Sequence, residues 1–275
     1  MTVTIRVATD GDLDALAHLT AELRTRLAQW SPQWWHPSRA ADEIHPLWLH
    51  HLITSDGPIV RVAEDNGMVV ACVVSMPQPN QWFIDDFAVA DERWSDAGIA
   101  LIGAIEERPA LTCTASQDRT RLQVLEGNGL THVSSYWVRE TDADGATEHK
   151  PLPEGASIPD PPPHTFGGAL DPLADGALTL AHADGAIIGS PSVAAPPIFD
   201  PGGTVSIIDR VVNVSDDLLR AAVIAAGRRG DVLINVVAAV DDTTLQRHLA
   251  RNGFTRTVDV HRWPSTAPTR GRQPT

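Results

Sequence analysis

Residues 118–131, DRTRLQVLEGNGLT, and residues 242–255, DTTLQRHLARNGFT, are two copies of one pattern. An aspartate opens each copy, an apolar stripe follows at helical spacing, and Leu125 and Leu249 hold equal places. Asn128-Gly129 closes the first and Asn252-Gly253 the second. Aspartate caps helix N-termini and Asn-Gly stops helices, so each copy predicts a helix. The offset is 124 residues (242 minus 118), and the strand-like stretches LTCTAS from 111 and NVVAAV from 235 keep it. A match at one fixed separation predicts an internal duplication. The alternative source is any strand–helix–strand unit that ends on Asn-Gly.

Working outward, both flanks repeat an order of elements. In the first half Val3, Ile5 and Val7 alternate as a strand, and leucines at 13, 16, 19, 23 and 27 mark a helix after Asp10. Strands follow at 60–63 and 68–74 around the turn Asp65-Asn66-Gly67, then at 82–89. A helix is predicted from Ser95 to Glu107, then a strand at 111–115, the helix from Asp118 and a strand at 133–138. The second half repeats this from its hairpin around Asp184-Gly185: strands at 177–182, 186–188 and 205–212, a helix capped by Ser215 and running to about 228, a strand at 232–240, the helix from Asp242 and a last strand. Between them PLPEGASIPDPPP is rich in proline and poor in large apolar residues, as an extended linker is. The expected division is a first domain over 1–140, a linker over 141–166, a second domain over 167–264 and a disordered tail over 265–275. The fold class is α/β (α+β): tandem domains with mixed, mostly antiparallel sheets flanked by helices.

Composition narrows the function. The chain has 275 residues, 43% of them hydrophobic, which suits two packed domains. No run approaches the ~18 apolar residues of a membrane helix, and the N-terminus has no signal-peptide pattern. The net charge of -14 disfavours nucleic acid, whose phosphates that field repels, and permits a cationic or amine partner. Cys72 and Cys113 lie in apolar runs and read as free thiols of a reducing, cytoplasmic compartment.

IDDFAVADERWSDAGIALIGAIEE (84–107) and the later strand and helix ending in Asn-Gly-Leu resemble the GNAT superfamily of N-acetyltransferases. The likeness covers residues 1–140 and, without the first helices, about 167–264. With PPIFDPGG (196–203) it extends to two-module GNAT-like proteins of actinobacteria. The resemblance implies a sheet that splits at its middle, acetyl-CoA in the split, and transfer of the acetyl group to an amine of a small molecule or peptide. It puts the pyrophosphate on the N-terminus of the 95–107 helix, at Ser95, Asp96, Ala97, Gly98, Ile99 and Ala100, where backbone N–H groups and the helix dipole favour an anion. The Gly-x-Ala end of the family's motif is present. Its leading Arg or Gln is Ser95, Arg93 stands two residues early, and Asp96 adds a carboxylate. Read without the resemblance, Ser95 is an N-cap and Asp96 a first-turn acid. The second half offers Val214-Ser215-Asp216-Asp217-Leu218, a good cap and a poor phosphate cradle.

The resemblance further implies a bulge on the strand ending at Phe87–Ala90, with Val89 beside the cofactor. Asp85 and Asp86 are the candidate bases; strand alternation brings at most one to the cleft, and a solvent-facing strand acid is their other reading. Asp209 is the counterpart. The family's asparagine at the start of the second helix is Asp118 here, and its tyrosine acid is Leu125 in one half and Leu249 in the other. Residues 30–52 crowd tryptophan and histidine into the region where the family builds its acceptor site. Trp30, Trp34, Trp35, His36 and Trp48 are the candidate acceptor walls, suited to an aromatic or cationic ligand. Packing onto the sheet or between the halves is their other use. The spacing of His45, His50 and His51 gives no shared metal ligation.

Overall fold

The computed structural model describes residues 3–90, 92–144, 152, 160–164, 175–182 and 184–263. The tail and most of the linker lie outside the described residues. The first half runs β1 (Thr4–Val7), α1 (Leu13–Trp30), α2 (Ala41–Thr54), β2 (Ile59–Asp65), β3 (Met68–Pro77), β4 (Trp82–Val89), a π-turn (Trp94–Gly98), α3 (Ile99–Ala104), β5 (Ala110–Ala115), α4 (Arg119–Gly127) and β6 (Thr131–Glu140). The second runs β7 (Leu178–His182), β8 (Gly185–Gly189), β9 (Val205–Val212), α5 (Asp216–Arg228), β10 (Leu233–Ala239), α6 (Thr243–Arg251) and β11 (Thr255–Trp263). The predicted helix over 95–107 is shorter than its sequence pattern: a π-turn replaces its first turn and Ile105 leaves it in an extended conformation.

The two predicted sheets are one. Eleven strands lie in the order β1-β2-β3-β4-β5-β11-β6-β10-β9-β8-β7. β11 of the second half pairs antiparallel with both β5 and β6, and β6 of the first half pairs antiparallel with both β11 and β10. Each half thus lends its last strand to the other. The exchange covers two strand edges that separate sheets would expose.

The repeat that decides the fold sits beside this centre. Asp118 Oδ1 accepts from the Arg121 N–H at 3.1 Å, and Asp242 Oδ1 from the Leu245 N–H at 2.9 Å. Gly129 and Gly253 take φ of 87° and 76°, a left-handed conformation that glycine adopts without strain. Leu125 and Leu249 are both fully buried. α1 and α2 pack Leu16, Leu23, Leu49 and Leu52 against Val62, Val74 and Ala88 on one face of the sheet. α3 and α4 pack Leu101, Ile102 and Leu125 against Ile84 and Phe87 on the other.

Candidate functional site

In each half one parallel strand pair opens at the same place. β4 and β5 pair through Ile84↔Thr112 and then part; β9 and β10 pair through Val236↔Ile208 and then part. Asp85 and Asp209 are the next residues of β4 and β9. A bulge follows in β4: Asp85 lies opposite Val74 and Ala88 opposite Cys72, so three steps on β4 meet two on β3. Asp86 takes φ of 41° there, a conformation uncommon outside glycine that aspartate accepts more readily than most residues. The extra residue breaks the alternation expected of neighbouring aspartates. Asp85, Asp86, His45 and Arg121 form one electrostatic group.

His45 was not singled out as a site residue, yet it is fully buried on α2 and orders this group. Its Nδ1 meets the Arg24 guanidinium, and its Nε2 lies 2.9 Å from Asp86 Oδ2. A guanidinium only donates, so Nδ1 accepts and the ring proton lies on Nε2, which donates to Asp86. Arg24 in turn donates to Asp42 at 2.7 Å. Asp86 is therefore held as an acceptor. Asp85 beside it is pushed up to about 7, first by burial and then by the Asp86 charge. The surroundings thus bring the Asp85 carboxyl toward neutrality, as an acid–base group requires.

Arg121, also missed in the sequence, is 4% exposed at the opening between β4 and β5. Its guanidinium lies 5.4 Å from the Phe87 ring centre and 5.8 Å from that of Trp94, and Nη2 donates to Thr112 Oγ1 at 3.2 Å. Its position three residues after the cap Asp118 and one turn before Leu125 is the signal that could have marked it.

Of the predicted pyrophosphate residues, Ser95, Asp96, Ala97 and Gly98 lie in the π-turn, and Ile99 and Ala100 open α3. Val89 ends β4 in the core, and Ala97 and Gly98 are buried. Asp96 Oδ1 accepts from the Ala97 N–H at 2.6 Å, and Arg93 reaches both Asp96, at 2.8 Å, and Asp65, at 3.1 Å. The guanidinium of Arg93 holds the Asp96 carboxyl below its ordinary range. A Cβ on Gly98 would come within 2.6 Å of the Trp94 ring, so this glycine makes room for Trp94. Asp118 is engaged as the cap of α4.

The tryptophan stretch divides. Trp34 packs edge-on against Trp35 and Tyr136, and Trp35 against Phe199 at 5.0 Å. His36 accepts through its carbonyl from the Asp200 N–H, and Ser38 bonds Ile198. These residues close the seam between the halves. Trp30 is half-buried at the end of α1. Trp48 is 41% exposed on α2, 5.5 Å from the His51 ring. In the second half Asp209 is 1% exposed, with Arg210 at 3.4 Å and His164, from the end of the linker, at 3.5 Å. Among the described residues no group of three or more His, Cys, Asp or Glu could hold a metal, and no helix is long and apolar enough to cross a membrane.

This geometry has known counterparts at the level of fold. A structure from Thermoplasma acidophilum assigned as an acetyltransferase matches with a TM-score of 0.54 at 14% identity, covering 95% of this chain and 99% of its own. A GCN5-related N-acetyltransferase from Sphaerobacter thermophilus matches with a TM-score of 0.51 at 15% identity, covering 95% of both chains. No family model matches the sequence, and the curated proteins give no match. The chain has the GNAT acetyltransferase fold, and the likeness runs through both halves.

Proposed function

We propose that the chain is a GNAT-type acyltransferase that moves an acetyl group from acetyl-CoA to an amine of a small molecule or peptide, with the reaction in its first half. The observation that carries this is Asp85, poised near neutral pH at the bulge where β4 and β5 part. A group whose pKa lies near the working pH both takes and releases a proton readily. Asp85 accepts the proton of the amine, directly or through a water. His45, fixed by Arg24, keeps Asp86 in place, and the two carboxylates favour a cationic acceptor. Trp48 is the aromatic of its stretch with open surface for that acceptor.

Acetyl-CoA supplies an acyl thioester. Its pyrophosphate would be held by the Ala97 N–H and Arg93. The Asp96 carboxylate already stands on both donors, so the set accepts an anion. An ion pair this open to solvent is weakly held, so a pyrophosphate of higher charge can displace it. The same contact favours a second reading, a non-catalytic module whose loop is closed by its own Asp96 and which binds a ligand elsewhere. Calorimetric titration with acetyl-CoA and CoA separates the two. Micromolar binding supports the acyltransferase; no heat at millimolar ligand overturns it in favour of the module.

A further inference from the structure

Acyl transfer needs a place for the leaving group, and the proton-donating tyrosine that the family resemblance implies is replaced by the buried Leu125. We infer, resting on the acyltransferase reading, that Arg121 is the positive charge that receives the departing thiolate. It projects from α4 one turn before Leu125, on the same helix face. Its guanidinium reaches Thr112, whose rung with Ile84 is the last before β4 and β5 part.

Two features mark this guanidinium as short of an anion. Its Nε is buried with no hydrogen-bond partner. The ionisable groups facing it are Asp118 on its own helix, Cys113 on β5, and Asp85 and Asp86 on β4. None of these accepts a hydrogen bond from the guanidinium among the described residues; Asp118 is spent on the backbone N–H of Arg121. The third neighbouring element, the π-turn, offers the uncharged ring of Trp94. A buried guanidinium in this state gains from any anion that enters, and gains more than it would in water.

The step balances without an acid on α4. The amine nitrogen bonds to the acyl carbon, and the carbon–sulfur bond breaks. Sulfur keeps the electron pair as a thiolate beside Arg121, and the amine proton passes to Asp85. Charge replaces protonation as the stabiliser of the leaving group.

Binding tests this apart from turnover. The wild-type chain is titrated with CoA and with desulfo-CoA, in which hydrogen replaces the thiol, from pH 7 to pH 9.5. Effects common to both ligands, including ionisation of Asp85, cancel in their ratio. The preference for CoA is expected to grow about tenfold with pH, equivalent to lowering the bound thiol by one unit from its ordinary value of about 8.5. In Arg121→Met the growth is lost while desulfo-CoA still binds. The wild-type series decides alone should that variant fail to fold. A preference that stays flat with pH overturns the role of Arg121 and leaves the acyltransferase reading standing. Failure of both ligands to bind, in the wild type and in Asp96→Asn, overturns both.

Discussion

The two halves end a parallel strand pair one residue before an aspartate, and then treat that aspartate in opposite ways. In the first half Asp85 is only partly buried, with Asp86 on one side and Arg121 beyond, and its acidity is driven toward neutral. In the second half Asp209 is 1% exposed between Arg210 and His164, and the linker itself supplies the histidine. The loops that follow diverge in the same sense. The first is a π-turn whose donors are held by the half-buried Asp96. The second is a regular 13-residue helix capped by Ser215, whose Asp216 is tied to His248 at 2.6 Å and Asn252 at 2.8 Å. The centre is shared, each half depending on the other's strand, whereas the two openings differ: one holds an aspartate raised toward neutrality, the other an aspartate closed in by its neighbours.

The largest expected effect tests the shared centre. Val260 of β11 is fully buried, between Cys113 of β5 and Ser134 of β6. Val260→Asp places an unpaired carboxylate there and should cost about 4 kcal/mol or more. Because β11 serves both halves, urea should unfold them in one transition, read by tryptophan fluorescence and by amide exchange in α5. Exchange protection in α5 that outlasts the fluorescence change would break the idea that the halves stand together.

The next effect separates the two aspartates. A carboxyl raised to about 7 keeps a proton in the folded state that the unfolded chain releases near pH 4. The folded state binds more protons between those values, so stability falls as pH rises through that window and is lowest above 7. Asp85→Asn should remove the slope and stabilise the chain at pH 8 by about 2 kcal/mol, half of what three full pKa units give, since the group keeps some contact with water. Asp209→Asn should instead destabilise by about 1–3 kcal/mol, because it weakens the contacts to His164 and Arg210. Denaturation at pH 5 and pH 8 gives both signs; a loss for both variants would make the two sites alike.

A smaller contrast lies in the matched caps. Asp118→Ala and Asp242→Ala each remove an acceptor from a helix N-terminus and should each cost about 1 kcal/mol. Asp118 should cost more, because its charge also supports the buried Arg121. Equal losses in thermal unfolding would mean that Arg121 takes no support from its own helix.

How far these features were legible follows from what each depends on. The caps, the Asn-Gly stops and the order of elements along the chain are local, and periodicity and turn chemistry give them directly. The exchange of β6 and β11 is not local: both strands read the same whichever half they join, and only pairing across the chain decides. The aspartates were visible as acids on a strand. That both serve one group depends on a bulge, which adds a residue without changing the alternating pattern that predicts the strand. Arg24 sits among other polar residues of α1 (Glu22, Thr25 and Arg26) and His45 beside Pro46 on α2, and partners 21 residues apart in the first case and 41 in the second leave no mark in either stretch. The tryptophans advertised an aromatic wall, but Trp34 and Trp35 were matched to Tyr136 and Phe199, which only the fold brings near.

The smallest effect on stability carries the sharpest contrast in binding. Asp96 is half-buried and its ion pair with Arg93 is open to water, so Asp96→Asn should lower stability only slightly. Asp216→Asn weakens the ties to His248 and Asn252 and should also lower stability slightly. Toward CoA the two should part. Two like charges ~6 Å apart at an effective dielectric of ~20 repel by about 3 kcal/mol, and exposure to water reduces this considerably. Replacing Asp96 removes that repulsion and also releases the Ala97 N–H and Arg93 from their internal anion. CoA should therefore bind about tenfold tighter to Asp96→Asn at low salt, with the gain shrinking near 1 M salt, where the Debye length is about 3 Å. Asp216→Asn should gain nothing, because the helix beneath it is regular and its cap, Ser215, still holds the Leu218 N–H. Calorimetry on both variants at two salt concentrations gives the comparison. An equal gain in both would make the effect one of net charge alone and remove the distinction between the two loops.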